Sequence, residues 1–277
     1  MTQYRIIVLI ASLILIGALF ALPKVVVNNE PADAAEPETA ETTGAIGDNN
    51  EAHAGLDDKA GEEMIADLKG NWTANANDNE KNAKFADSLS VAYTTVSKPD
   101  SAVKYAEMAL SLEPALHRYR NAGEANYLAF VYEMDATRRQ ELAERARYNF
   151  DKVLEEDPGD MDVKTKAAMT YLSSSNPMQG IMMLREVLEE DPTHEKALFN
   201  MGALSMQSNQ WDRAVDRFES LVKHYPDHLE GNFYLGVSYF ESGHKEDARK
   251  QLLKVKDMNA NAEVQASVDD YLSRIKN

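Results

Sequence analysis

The chain has no cysteine among its 277 residues. Disulfides, thiolate metal sites, cysteine nucleophiles and a lipid-modified N-terminal Cys are therefore excluded. Positive charge is scarce: 29 Lys and Arg stand against 46 Asp and Glu, a formal net charge of −17. Nucleic-acid binding is excluded on that ground, because phosphate contacts need a basic face. No G-x-x-x-x-G-K-[ST], G-x-S-x-G or H-E-x-x-H occurs, so no signature for phosphate cradling, serine hydrolysis or a zinc protease is present. His224 and His228 are four apart, but Pro226 lies between them and breaks the helix face that a metal pair would share. The chain reads as no enzyme, with no cofactor and no metal.

Only one long hydrophobic run is present. Ile6 to Leu22, 17 residues, carries no charge. At 1.5 Å per residue it covers about 25 Å, close to a bilayer core, and Val25–Val27 extend it. Residues 1–27 therefore read as a transmembrane anchor, with a short cytoplasmic N-terminus and the bulk of the chain extracytoplasmic, periplasmic in a Gram-negative cell. The alternative is a cleaved signal peptide, with Ala32-Asp33-Ala34 as a small-x-small site and the mature chain released to the periplasm. Residues 28–56 hold almost no large apolar side chain and read as a disordered acidic linker. From Asn28 to Glu63 there are 11 acidic side chains against one Lys. Over residues 57–82 the spacing of Met64, Ile65, Leu68 and Trp72 predicts a helix that ends near Gly70 and packs on the folded region from residue 83 onward.

From residue 83 the chain is periodic. VLEEDP occurs at Val153–Pro158 and again at Val187–Pro192, and Pro158, Pro192 and Pro226 are spaced by 34 residues. Upstream of each proline, at offsets of 12, 8 and 5, come Ala146, Phe150 and Val153, then Gly180, Leu184 and Val187, then Ala214, Phe218 and Leu221. Ala102, Ala106 and Ala109 stand in the same places before Pro114. These offsets put a small, a large and another apolar residue on one helical stripe, with proline where the helix stops. In the preceding half of each unit, Leu89-Ser90, Ala167-Ala168, Met201-Gly202 and Leu235-Gly236 are equivalent, followed by Tyr93, Tyr171, Ser205 and Tyr239. Turn signals separate the halves, among them Asn176-Pro177 and Ser242-Gly243.

This pattern resembles the tetratricopeptide repeat family, a helix–turn–helix of 34 residues. Glu195–His228 matches its motif best, with Leu198, Met201-Gly202, Ala214, Phe218, Leu221 and Pro226. Five repeats are assigned over 83–262, at about Ala83–Leu116, His117–Asp160, Met161–His194, Glu195–His228 and Leu229–Ala262. Residues 263–277 form a capping helix through Val264, Val268, Leu272 and Ile275. The resemblance implies an all-α fold, a right-handed superhelical α-solenoid, whose first helices line a concave groove for a protein or peptide partner. The groove residues it implies are Met169, Leu172, Lys196, Phe199, Met206, Phe233 and Phe240. The rings are expected either to anchor a partner or to be buried against the next repeat.

The second repeat is ten residues longer than the others, with the surplus expected around His117–Asn121 and Asp135–Gln140. Six of the twelve arginines fall in or near it. Arg118, Arg120, Arg138 and Arg139 form a candidate basic patch for an acidic segment or lipid headgroups. The alternative is local pairing along a helix, such as Glu141 with Arg145. The function read from the whole is a membrane-tethered scaffold for a protein partner. The rival readings are a self-associating structural module, hence a homo-oligomer, and a holdase for unfolded clients.

Overall fold

The computed structural model describes residues 58–74, 78–258 and 261–276. The apolar run and the acidic linker, residues 1–56, lie outside the described residues. Among the described residues there are twelve helices and no strand, and none of these helices is long and apolar enough to cross a membrane. The first helix, α1, is Asp58–Ala74. Five helix–turn–helix pairs come next: α2 (Asn79–Thr95) with α3 (Pro99–Leu112), α4 (Leu116–Tyr132) with α5 (Ala136–Glu156), α6 (Met161–Leu172) with α7 (Pro177–Glu190), α8 (Glu195–Gln207) with α9 (Trp211–His224), and α10 (Leu229–Glu241) with α11 (Lys245–Asp257). The last helix is α12 (Ala262–Lys276). The helices belong to two compact units, one holding the described residues up to Val187 and the other those from Leu188 onward.

Local chemistry sets the helix ends. After α5, α7 and α9 comes a proline, and two residues later a side chain caps the next helix. Asp160 accepts from the Val163 N–H at 2.9 Å. His194 accepts from Ala197 N–H at 3.3 Å and His228 from Gly231 N–H at 3.0 Å, each through Nδ1. The two histidines, 34 residues apart in sequence, thus do the work usually left to Ser, Thr, Asp or Asn. Within three pairs the chain reverses through a residue in the left-handed region: Ser97 (φ 55°), Asn209 (φ 55°) and Gly243 (φ 87°). The N–H of the next residue reaches back to close the first helix, with Lys98 to Tyr93 O at 2.9 Å, Gln210 to Ser205 O at 2.8 Å and His244 to Tyr239 O at 2.8 Å. This is the helix-ending motif that glycine fits without penalty, Asn tolerates and Ser adopts only at some cost.

The stripe on each second helix is the core. Ala102, Ala146, Ala214 and Ala248 are 0% exposed, as are Phe150, Leu184, Phe218 and Leu252. Burying each large side chain contributes about 1.5–3 kcal/mol. The small residues are there because the two helices of a pair touch closely. A Cβ at Gly202 would lie 2.7 Å from the Phe218 ring. In the third pair the arrangement is inverted: the first helix has Ala167-Ala168, and glycine is on the second, where a Cβ at Gly180 would meet the Ala168 carbonyl oxygen at 2.4 Å.

Helix α1 runs one turn beyond Gly70 and packs Ile65, Leu68 and Trp72 on Leu89, Tyr93 and Tyr105. Tyr93 and Tyr105 are stacked at 5.4 Å, with Trp72 edge-on to Tyr105 at 6.2 Å.

Of the two places expected for the surplus of the second repeat, the structure keeps the one around Asp135–Gln140 and not the one around His117–Asn121. Gly123 faces Phe150 as Gly202 faces Phe218, which fixes the register and leaves no insertion around His117–Asn121. The added residues instead lengthen both helices at their shared turn, over roughly 129–142. Helix α4 has 17 residues and α5 has 21, against 13 and 14 in α8 and α9. The extension persists as helix because it has its own core, with Phe130 1% and Leu142 6% exposed. Its turn is capped by Asp135, which accepts from Arg138 N–H at 2.8 Å.

Two substitutions probe these constraints. Gly180→Ala overpacks a backbone oxygen that cannot move and lowers stability by about 1–3 kcal/mol, although alanine is the better helix former. Ser97→Gly relieves the left-handed turn and raises stability by up to about 1 kcal/mol. Urea unfolding followed by circular dichroism checks both signs.

Candidate functional site

In the unit from Leu188 onward, two of the three rings expected to line a groove are interior. Phe199 is 5% exposed. Its ring stacks on His228 at 5.3 Å and meets Phe218 at 6.0 Å and Tyr234 at 5.8 Å. Phe233 is buried between Tyr234 (5.6 Å) and Tyr271 (6.3 Å), and Met206 is buried too. Phe240 is half-buried, with Tyr271 at 5.5 Å and the Arg274 guanidinium 4.6 Å above its ring. Lys196 is half-buried. The physical reason is that α10, and after the last pair α12, brings its own aromatic rings against these positions and takes their apolar surface out of water. In the other unit, Met169 and Leu172 are buried as well, and Leu172 lies against Gly180 of its own pair. Met169, Leu172, Phe199, Met206 and Phe233 are thus packed in the interior, while Lys196 and Phe240 keep part of their surface exposed.

The C-terminal helix is held by Tyr271 and Arg274. The guanidinium lies 4.8 Å from the Tyr271 ring and 3.5 Å from Glu241. Burial, with the negative charge of Glu241 adding to it, pushes the Tyr271 phenol up to about 12.

The expected basic patch is not an open cationic surface, because Arg118, Arg120 and Arg138 are each paired with carboxylates. Arg118 is 3% exposed, donating from Nε to Asp87 at 2.8 Å and from Nη1 to the Glu113 carboxylate at 2.9 Å and carbonyl at 2.7 Å. Arg120 pairs with Asp160, the residue that caps α6. Burial pushes the Asp160 carboxyl up, but the Arg120 guanidinium and the Val163 N–H outweigh it and hold it below the ordinary carboxylate value. Arg138 pairs with Asp100 and with Glu133 at 2.9 Å. Arg139 is half-buried. Arg145 bonds Glu107 on α3 at 3.1 Å rather than Glu141 on its own helix. The arginines tie one pair to the next.

What remains on the first helices of this unit is a surface that sequence reasoning did not single out. Val91 is 59% exposed and Leu116 44%. Val91 directly follows Leu89-Ser90, as Ala203 follows Met201-Gly202, so the repeat register contained the signal. Lys84, Asp87 and Val91 lie three and four residues apart on one face of α2, beside His117, whose Nε2 is 3.9 Å from Asp87. Asp87 Oδ1 is buried and has no hydrogen-bond donor among the described residues. Among the described residues, no group of three or more His, Cys, Asp or Glu could hold a metal ion.

These features define a class: a protein of stacked helix–turn–helix pairs whose polar chemistry is spent on caps and inter-repeat ties. The family model for the tetratricopeptide repeat matches residues 171–230 and 205–268, so that part of the chain carries tetratricopeptide repeats. A comparison with curated protein sequences returns no match. Among solved structures, PilW, described as a widely conserved type IV pilus biogenesis factor, is similar with a TM-score of 0.60 at 13% identity, covering 76% of this chain and 91% of PilW. A tetratricopeptide repeat protein from Parabacteroides merdae ATCC 43184 gives 0.54 at 16% identity, over 79% of this chain and 94% of that one. MamA from Desulfovibrio magneticus RS-1 gives 0.51 at 18% identity, over 64% and 94%. At these identities the likeness is one of fold. Proteins of this fold mediate protein–protein contacts.

Removing the buried tie separates it from the exposed ones. Arg118→Ala strands Asp87 and Glu113 and lowers stability by about 3 kcal/mol, whereas Arg138→Ala, at a half-exposed pair, lowers it by under about 1 kcal/mol. Chemical denaturation of the two variants checks the ranking. The Tyr271 phenol, raised above its ordinary value of 10.0 to about 12, stays neutral in the folded chain while the unfolded chain ionises. Its stabilising contribution is therefore complete below pH 10 and lost as pH rises towards 12. Phenolate absorbance and near-ultraviolet dichroism across that range should show α12 loosening there, with Tyr271→Phe removing the step.

Proposed function

We propose that this chain is a membrane-tethered scaffold that holds a protein partner on the first helices of its repeats, outside the cytoplasm. The carrying observation is the order of parts: a charge-free run, Ile6–Leu22, then an acidic stretch poor in apolar residues, then a repeat array. The run spans a bilayer core, with the few residues before it inside and the array outside, in the periplasm where an outer membrane is present. The acidic stretch repels itself and holds the array away from the membrane surface. The exposed Val91 and Leu116 beside Lys84, Asp87 and His117 supply partner contacts in the unit ending at Val187.

The test has two arms on the full chain. Fractionation should place it in the membrane, with the array digested by protease added from the extracytoplasmic side, and deletion of residues 6–22 should move it to the soluble fraction. A photo-crosslinking residue at Val91 should label a partner protein that the same residue at the buried Phe199 does not. A soluble intact chain overturns the tether. Equal labelling from both positions overturns the surface.

A further inference from the structure

The second helices carry a surface of their own. Helices α3 and α5 run beside one another in a fixed register of 38 residues. Arg138 pairs with Asp100, and Arg145 with Glu107 at 3.1 and 3.2 Å. The next pair in that register is Leu110 and Tyr148. Beyond the Arg145–Glu107 bridge the helices leave a groove of about 590 Å³, lined by Leu110 and Tyr148 and flanked by Glu141 and Glu144. Tyr148 is 59% exposed. The extra length of α5 adds Glu141 to the rim of the groove. In a helix of ordinary length, starting near Ala143, Glu141 would belong to the turn.

The electrostatics of the lining select its occupant. The Arg145 guanidinium donates to both oxygens of Glu107, so those two charges cancel. Among the described residues, Glu144 accepts only from the neutral amide of Gln140, at 3.0 Å. Glu141 is exposed, with no cation in ion-pair range among the described residues. Two negative charges therefore stand over an exposed aromatic ring and a leucine. A lysine or arginine side chain satisfies all of this at once: its stem lies on Leu110, its charge meets the carboxylates, and the ring face of Tyr148 attracts the cation. A second copy of the chain brings a net charge of −17, and a nucleic acid brings phosphates. Both are repelled.

We infer that the α3–α5 groove is a second docking surface, for a lysine- or arginine-bearing segment of a protein partner. It lies on the second helices, apart from the first-helix surface proposed above, so one partner can be held on each.

The experiment uses the full chain and a fluorescein-labelled peptide of alternating lysine and leucine, read by anisotropy at about 0.15 M salt. A peptide with glutamate in place of lysine is the control. Glu141→Gln with Glu144→Gln should weaken binding about tenfold. Tyr148→Ser should weaken it about three- to fivefold. Glu189→Gln with Glu190→Gln removes the same charge elsewhere and should change it less than about twofold. All are surface changes, and unchanged circular dichroism shows that each variant is folded. Equal losses in the two double variants would reduce the effect to bulk charge and overturn the proposal. So would equal binding of the glutamate peptide, or no saturable binding by about 1 mM. A dimer in sedimentation that Tyr148→Ser disrupts, without peptide binding, would assign the groove to a second copy and overturn it as well.

Discussion

The close approach of two helices in each pair is the contact on which everything else depends. A small residue on one helix admits a large ring or branched side chain from the other, as at Gly202 against Phe218 and Gly123 against Phe150. Cores are close-packed, so a methyl group at such a point has nowhere to go. Once that contact is fixed, the spacing of the two helices is fixed, and so is the surface each pair offers to the next. The inversion in the third pair, where Gly180 meets the Ala168 carbonyl, shows that the requirement is for closeness itself. Which helix supplies the small residue is secondary.

Charge has a different role in this chain from the one its clustering indicates. Six arginines near the longest repeat read, along a line of sequence, as a cationic patch. In three dimensions Arg118, Arg120, Arg138 and Arg145 each face a carboxylate on another element. An acidic protein surrounds any arginine with partners, and a pair that is mostly shielded from water, like Arg118 with Asp87, is held in one geometry. The surfaces proposed for binding are then the reverse of a basic patch: exposed apolar side chains beside carboxylates. They lie on the first helices at Val91 and on the second helices at Tyr148.

The extended hairpin illustrates how a local change creates a surface. Extra residues at the turn would be a loop if they were polar and unpatterned. Here Phe130 and Leu142 are buried within the added turns, so both helices simply continue. The longer α5 brings Glu141 alongside α3, where a helix starting near Ala143 would leave it in the turn.

The sequence by itself determined the repeat: the period of 34, the buried stripe, the stop at each proline and the small residues at contacts all come from spacing. Helix periodicity and proline chemistry are local properties, and local properties are legible in a line of residues. It did not determine that His194 and His228 would cap helices, since imidazole is an uncommon cap and the role depends on ring orientation. It placed the surplus of the second repeat only in part, because the contact of Gly123 with Phe150 is what fixes the register on both sides. Exposure was least legible of all. Phe199, Phe233 and Val91 are all apolar residues on first helices, yet the first two are covered by the next element and the third is not. Whether an apolar residue is core or binding surface is decided by what packs on it, and only the tertiary structure supplies that neighbour.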